Sequence, residues 1–152
     1  MKATLLTALT FLLLIAPRQE RLDADSQKKI HEEASHGWVY LSWMDDSIFF
    51  IKKDGIHELD KGITEAWIKR RARKTGVWSE TGIPDGTDEM LLHIKVDCSS
   101  RLLGTADRAT YDKDGNLINV KKFDFQWGPV PPDTIGEIVF EYTCAKQPPK
   151  RP

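Results

Sequence analysis

Two cysteines, Cys98 and Cys144, are the only ones in the chain, and each closes a segment with a readable period. In "MLLHIKVDC" (residues 90–98), Leu92, Ile94, Val96 and Cys98 alternate with His93, Lys95 and Asp97. That is the period-two pattern of a half-buried strand, and it aims Cys98 into a core. In "PPDTIGEIVFEYTC" (residues 131–144), Ile138, Phe140, Tyr142 and Cys144 alternate in the same way. Yet Ile135, Ile138, Val139 and Tyr142 also form a helical stripe, and Thr134 with Glu137 makes a capping-box pattern just after two prolines. Periodicity alone leaves this element open between strand and helix. A lone pair of cysteines can be two idle thiols, part of a metal site or one disulfide, and the compartment decides among them.

The start of the chain speaks to the compartment. Met1 and Lys2 supply a short positive region, and residues 3–16 ("ATLLTALTFLLLIA") are a run of 14 without charge. That length suits a secretory signal and falls short of the roughly 20 residues that span a bilayer. The expected leader is residues 1–24, with a poorly marked cut near Ala24; Ala16 is followed by Pro17, a poor site for cleavage. No cysteine lies near it to carry a lipid. The expectation is therefore an exported chain, periplasmic, surface-located or secreted, with neither a lipid anchor nor a transmembrane segment. In an oxidising space two cysteines read first as one disulfide. Closing the 46 positions between Cys98 and Cys144 is worth about 4 kcal/mol in the chain-entropy account.

Losing residues 1–24 removes Lys2, Arg18 and Arg21 but also Glu20 and Asp23, taking the net charge from −1 to −2. A chain so nearly balanced is no general nucleic-acid binder, which would be strongly basic. The 128 residues left (152 less 24) suffice for one domain with a core. Residues 25–36 ("DSQKKIHEEASH") are polar and read as a mobile or weakly helical lead-in, 37–145 as the domain, and 146–152 as a disordered tail. Strand compositions follow in "WVYLSWM", "SIFFI" and "ITEAWIKRR", with turns at Asp45-Asp46 and Lys53-Asp54-Gly55. Residues 73–89, with three glycines and a proline, read as a long surface loop or extended hairpin. "DKDGN" is a hairpin turn between "ADRATY" and "LINVKKFDF".

Several of these stretches, "GWVYLSW", "VDCSS", "ATYDKDGN" and above all "WGPVPPDTIGEIVFEYTC", together resemble the surface-adhesin protein E-like domain family of Gram-negative bacteria. The resemblance covers most of residues 37–144. It implies an α+β fold, a small antiparallel sheet of about six strands with a C-terminal helix over residues 133–144 laid on one face. It also implies that a Cys98–Cys144 disulfide ties the helix to the sheet. The named member of the family binds host matrix and serum proteins such as vitronectin and laminin, so the resemblance points to an adhesin-like binding module. The family's motif residues are structural and bring no binding residue to a position here.

The strongest local charge feature is "KRRARK", five cations in six residues: Lys69, Arg70, Arg71, Arg73 and Lys74. Set where a strand gives way to a loop, with Trp78 close by, they are the expected binding residues for an acidic protein or a polyanionic macromolecule. The bland alternative is a solvated strand end. "IPDGTDEM" and "DKDGN" gather carboxylates but lack the frame of a calcium loop, so turn chemistry accounts for them. His31, His36, His57 and His93 have no partner at metal or catalytic spacing, and read as surface histidines. Trp38, Trp43, Trp67 and Trp127 fall where core packing is the readier use. No catalytic residue, metal or cofactor is expected. The function expected is an exported, non-catalytic module contacting host matrix or serum proteins. The alternative is a periplasmic structural or envelope-assembly protein that binds partners of its own cell. A homodimer is among the arrangements left open.

Overall fold

The computed structural model describes residues 22–44, 46–74, 78 and 82–145. The expected leader up to residue 21, the tail 146–152 and parts of the long loop lie outside the described residues.

The chain begins with helix α1 (Ala24–Ser35), followed by strands β1 (Trp38–Met44) and β2 (Ser47–Lys52). After a single 3-10 turn (Lys53–Gly55) come β3 (His57–Asp60) and β4 (Ile63–Ala72). The loop 73–88 leads to β5 (Glu89–Asp97), β6 (Leu102–Tyr111), β7 (Leu117–Lys122), a two-residue β8 (Gly128–Pro129) and helix α2 (Ile135–Ala145). Among the described residues the sheet has eight strands, in the order β1-β2-β4-β5-β6-β7, with β3 beside β4 and β8 beside β6. Every pairing is antiparallel. This exceeds the six strands expected. β3 ("HELD") is exposed at all four positions and has no apolar period to betray it. β8 is a Gly-Pro pair whose pairing with β6 is a matter of tertiary approach alone.

One face of the sheet carries the core. Phe49, Ile51, Ala66, Ile68, Ile94 and Val96 pack there against Val139, Phe140 and Tyr142 of α2. The ambiguous C-terminal element is thus a helix. Its start is fixed by Thr134 Oγ1, which accepts from the Glu137 N–H at 3.3 Å, while the Glu137 carboxylate accepts from the Asp133 N–H at 2.8 Å. Its end is fixed by Cys144, joined to Cys98 with 5.6 Å between Cα atoms. Cys98 follows β5 directly, and its N–H donates to the Gly62 carbonyl at 2.8 Å.

The stretch 25–36, read from sequence as a mobile or weakly helical lead-in, is a docked helix. Asp23 caps it, accepting from the Ser26 N–H at 2.8 Å. Asp25 and Lys29 pair one turn apart at 3.1 Å. What holds α1 to the sheet is polar: Lys29 Nζ donates to the carbonyls of Ala72 and Arg73, and Glu33 is buried against the strands. A helix with no apolar stripe gives no amphipathic signal; its partners lie more than 30 positions downstream. α1 therefore covers the β1–β2–β4 end of the face opposite α2. The β5–β6–β7 end of that face is left open.

Candidate binding surface

The register of β4 sorts the basic run before any ligand is considered. Side chains alternate along a strand, so Lys69 and Arg71 point to the α1 face and Arg70 to the other. Lys69 is buried, donating to Glu33 at 2.9 Å, with Glu89 at 3.3 Å and the Trp38 ring beneath its ammonium. Arg71 donates to the other Glu33 oxygen at 3.0 Å. Arg70 donates to Ser47 Oγ at 2.7 Å, lies beside Asp46 and stacks its guanidinium on Trp78. Arg73 reaches back to Asp23 at 3.0 Å and lies over Trp43. Only Lys74 of the five is an exposed residue. The five cations do not project together: four are engaged by carboxylates and rings of the chain itself. Trp78, expected beside them at a surface, is buried and donates from Nε1 to Ser47 Oγ at 3.2 Å.

Two carboxylates, Glu33 and Glu89, share these cations. Burial pushes the Glu89 carboxyl above its ordinary value, the nearby Glu33 charge adds to that, and Lys69 and Arg71 oppose it. Asp23 is the converse: the Ser26 N–H, then the Arg73 guanidinium, hold its carboxyl far below the usual range.

On the open half of the α1 face a second constellation appears, which sequence spacing did not reveal. Trp67, His93 and Asp107 lie opposite one another on β4, β5 and β6. His93 stacks on Trp67 with 4.7 Å between ring centres. Its Nδ1 is 3.2 Å from Asp107 and its Nε2 is 3.1 Å from Glu65. The three residues come from three strands, so no local motif could announce them; only the register brings them into line. Among the described residues no three His, Cys, Asp or Glu side chains form a group able to hold a metal. The Glu65–His93–Asp107 row runs across the sheet as a clamp. Beside it Phe125 lies over Gly104, where a Cβ would meet the Gln126 carbonyl at 2.5 Å and the Phe125 ring at 2.7 Å. Phe125 holds Trp127 edge-on at 4.8 Å.

The open face ends at β7, the last strand in the sheet order. All six of its residues are exposed. Val120 stands opposite Ala109, which stands opposite Leu91, so an apolar row crosses the face out to the edge. Leu117 is 56% and Val120 55% exposed, and Ile118 is exposed between them, while Trp127, expected in the core, is exposed next to β8 at the other end of β6. Of the tryptophans, the loop residue Trp78 is buried and the strand residue Trp67 is exposed, the reverse of the expectation. An exposed strand has the same period-two signature whichever of its faces the fold leaves open.

The fold is shared with Haemophilus influenzae protein E. A second crystal form of that protein superposes with a TM-score of 0.56 at 17% identity, over 72% of this chain and 88% of that one. Another of its structures gives 0.56 at 16% identity, over 72% and 85%. Protein E from a non-typeable strain gives 0.50 at 18% identity, over 70% and 75%. No family model and no curated protein matches the chain. The protein E-like architecture inferred from the aromatic first strand and the Trp-to-Cys C-terminal segment is therefore the architecture of this chain.

Proposed function

We propose that the chain is an exported, non-catalytic binding module that holds a protein partner on the open half of its sheet and along the β7 edge. The observation that carries this is the edge itself. Among the described residues β7 ends the sheet, so no described strand lies beyond its outward N–H and C=O groups, and its apolar side chains stand in water. Such an edge is a template for strand addition unless it is blunted by charge, proline or a covering element. Here Lys121 and Lys122 lie at one end, and Leu117, Ile118 and Val120 remain uncovered. The resemblance to the adhesin family supplies the ligand class: a host matrix or serum protein such as vitronectin or laminin.

Two further observations support the reading. Both ring nitrogens of His93 lie against carboxylates, which leaves neither for a substrate proton. The Cys98–Cys144 disulfide suits an oxidising compartment, in keeping with the expected leader. No helix among the described residues is long and apolar enough to cross a membrane.

Surface plasmon resonance on immobilised vitronectin and laminin tests the proposal. Saturable binding is expected, weakened at least tenfold by Val120→Lys and by Val120→Pro, whose N–H faces away from β6, with the melting temperature little changed. Binding that both variants leave intact would move the site elsewhere. No binding to either protein would remove the host-matrix reading. Fractionation of the producing cells separates it from the envelope-assembly alternative, since a protein confined to the periplasm cannot reach host matrix.

A further inference from the structure

The face that carries α2 is not fully covered by it. Beside the helix N-terminus an apolar groove of about 460 Å3 runs over Met90, Leu92, Phe123 and Ile135. It continues into a smaller apolar recess of about 110 Å3 that reaches Leu103 and Val139 beneath the helix. Phe49, Leu92, Thr105 and Ile135 line both, so the two form one channel. The combined size is that of an ordinary small-molecule site.

Its charged groups are few and of one sign. Arg70 and Arg108 both border the wider end, and no carboxylate lines either part among the described residues. Arg70 is engaged by Ser47 and Asp46. Arg108 donates from one terminal nitrogen to the Gly82 carbonyl and lies over the Phe123 ring. Its Nε is buried with no acceptor. That atom is closed to a ligand, but among the described residues no carboxylate pairs with Arg108, so its charge is uncompensated at the rim and calls for an acceptor on the terminal nitrogens. A guanidinium only donates, so that acceptor suits a negative group, and a carboxylate matches its fork.

We propose that this groove holds a single long-chain fatty acid, its acyl chain running from Leu92 toward Leu103 and Val139 and its carboxylate on Arg108. The floor is a sheet face whose backbone groups are already paired within the ladder. An incoming peptide would find nothing there to satisfy its own amides, whereas an acyl chain asks for nothing. The site lies on the opposite face from the Leu91–Ala109–Val120 row, so it neither needs nor excludes a protein partner there.

Isothermal titration calorimetry with the full chain tests this, using dodecanoate and dodecylphosphocholine below their critical micelle concentrations and dodecanol below its solubility limit. One-to-one binding of dodecanoate is expected, at least tenfold weaker for dodecanol and dodecylphosphocholine. Arg108→Met should weaken dodecanoate at least tenfold while leaving dodecanol unchanged. Thr105→Phe, which blocks the channel where its two parts meet, should abolish binding of all three. Equal affinity for dodecanoate and dodecanol overturns the role of Arg108, and equal affinity for dodecylphosphocholine overturns the carboxylate in favour of a phospholipid. Full affinity in Thr105→Phe places the amphiphile elsewhere. Failure to bind dodecanoate saturably, or binding only of an acidic apolar peptide, ends the proposal. If Arg108→Met does not fold, the comparison of the three ligands on the parent protein still decides.

Discussion

Glu33 is the residue on which the docking of α1 most depends. Its carboxylate is buried, with 7% of the side chain exposed, and it accepts from Lys69 at 2.9 Å and Arg71 at 3.0 Å. Glu33→Gln keeps the shape and removes the charge. Removing one partner from a buried ion pair costs about 3–5 kcal/mol, because the other charges stay buried without compensation. Two features lower that here. Glu89 remains at 3.3 Å from Lys69 and 3.9 Å from Arg71. And α1 can lift away and let water reach both cations, so the loss cannot exceed the free energy of docking the helix. The expected loss is therefore about 2–3 kcal/mol, just below the range for a fully broken buried pair. For a domain of this size that lowers the melting temperature by about 10 °C. Thermal unfolding followed by circular dichroism measures it, and hydrogen exchange over Ala24–Ser35 shows whether the helix opens first. Changing Glu33, Lys69, Arg71 and Glu89 together to Leu, Met, Leu and Leu should restore most of the loss, since apolar residues of similar volume can replace a buried ion network at little cost once no carboxylate is left unpaired. A Glu33→Gln variant that melts within about 2 °C of the parent, with α1 amides still protected, would refute this account of how the helix is held.

Replacing Arg70, Arg71 and Arg73 together with Ser should unfold or severely destabilise the protein, because each holds a partner from a distant element; a triple variant with an unchanged melt would show them to be solvated charges after all. Replacing Cys98 and Cys144 with Ala should cost about 4 kcal/mol by loop entropy and loosen α2, which melting and unreduced peptide mapping would check. Asp23 has a depressed folded value, so its contribution is present above its ordinary 3.8 and lost as the pH falls below it. Amide protection in α1 should therefore hold down to about pH 4 and drop progressively from there toward about pH 2, and Asp23→Asn should flatten that dependence; protection that is flat in the parent contradicts it. Since Asp23 caps α1 and pairs with Arg73, any leader should be cut ahead of it rather than near Ala24; N-terminal sequencing of exported protein reading Asp25 or later would contradict that.

The alternation of Leu92, Ile94, Val96 and Cys98 was enough to place a strand and aim its cysteine inward. It was enough because period two depends only on neighbours along one strand, and the structure puts those side chains in the core. The C-terminal segment was legible only through likeness. Its apolar residues satisfy both periods, and the choice of helix rests on packing against a sheet more than 30 positions away in sequence. The lead-in and the basic run misled for a single reason. A polar helix and a cationic strand each look solvated when read alone, and each is the other's buried counter-charge. That match depends on Glu33 meeting Lys69 and Arg71 across separations of 36 and 38 residues, which composition cannot encode. The His93 clamp is of the same kind. Glu65, His93 and Asp107 sit on three strands, and a one-residue slip in register would turn any of them to the opposite face.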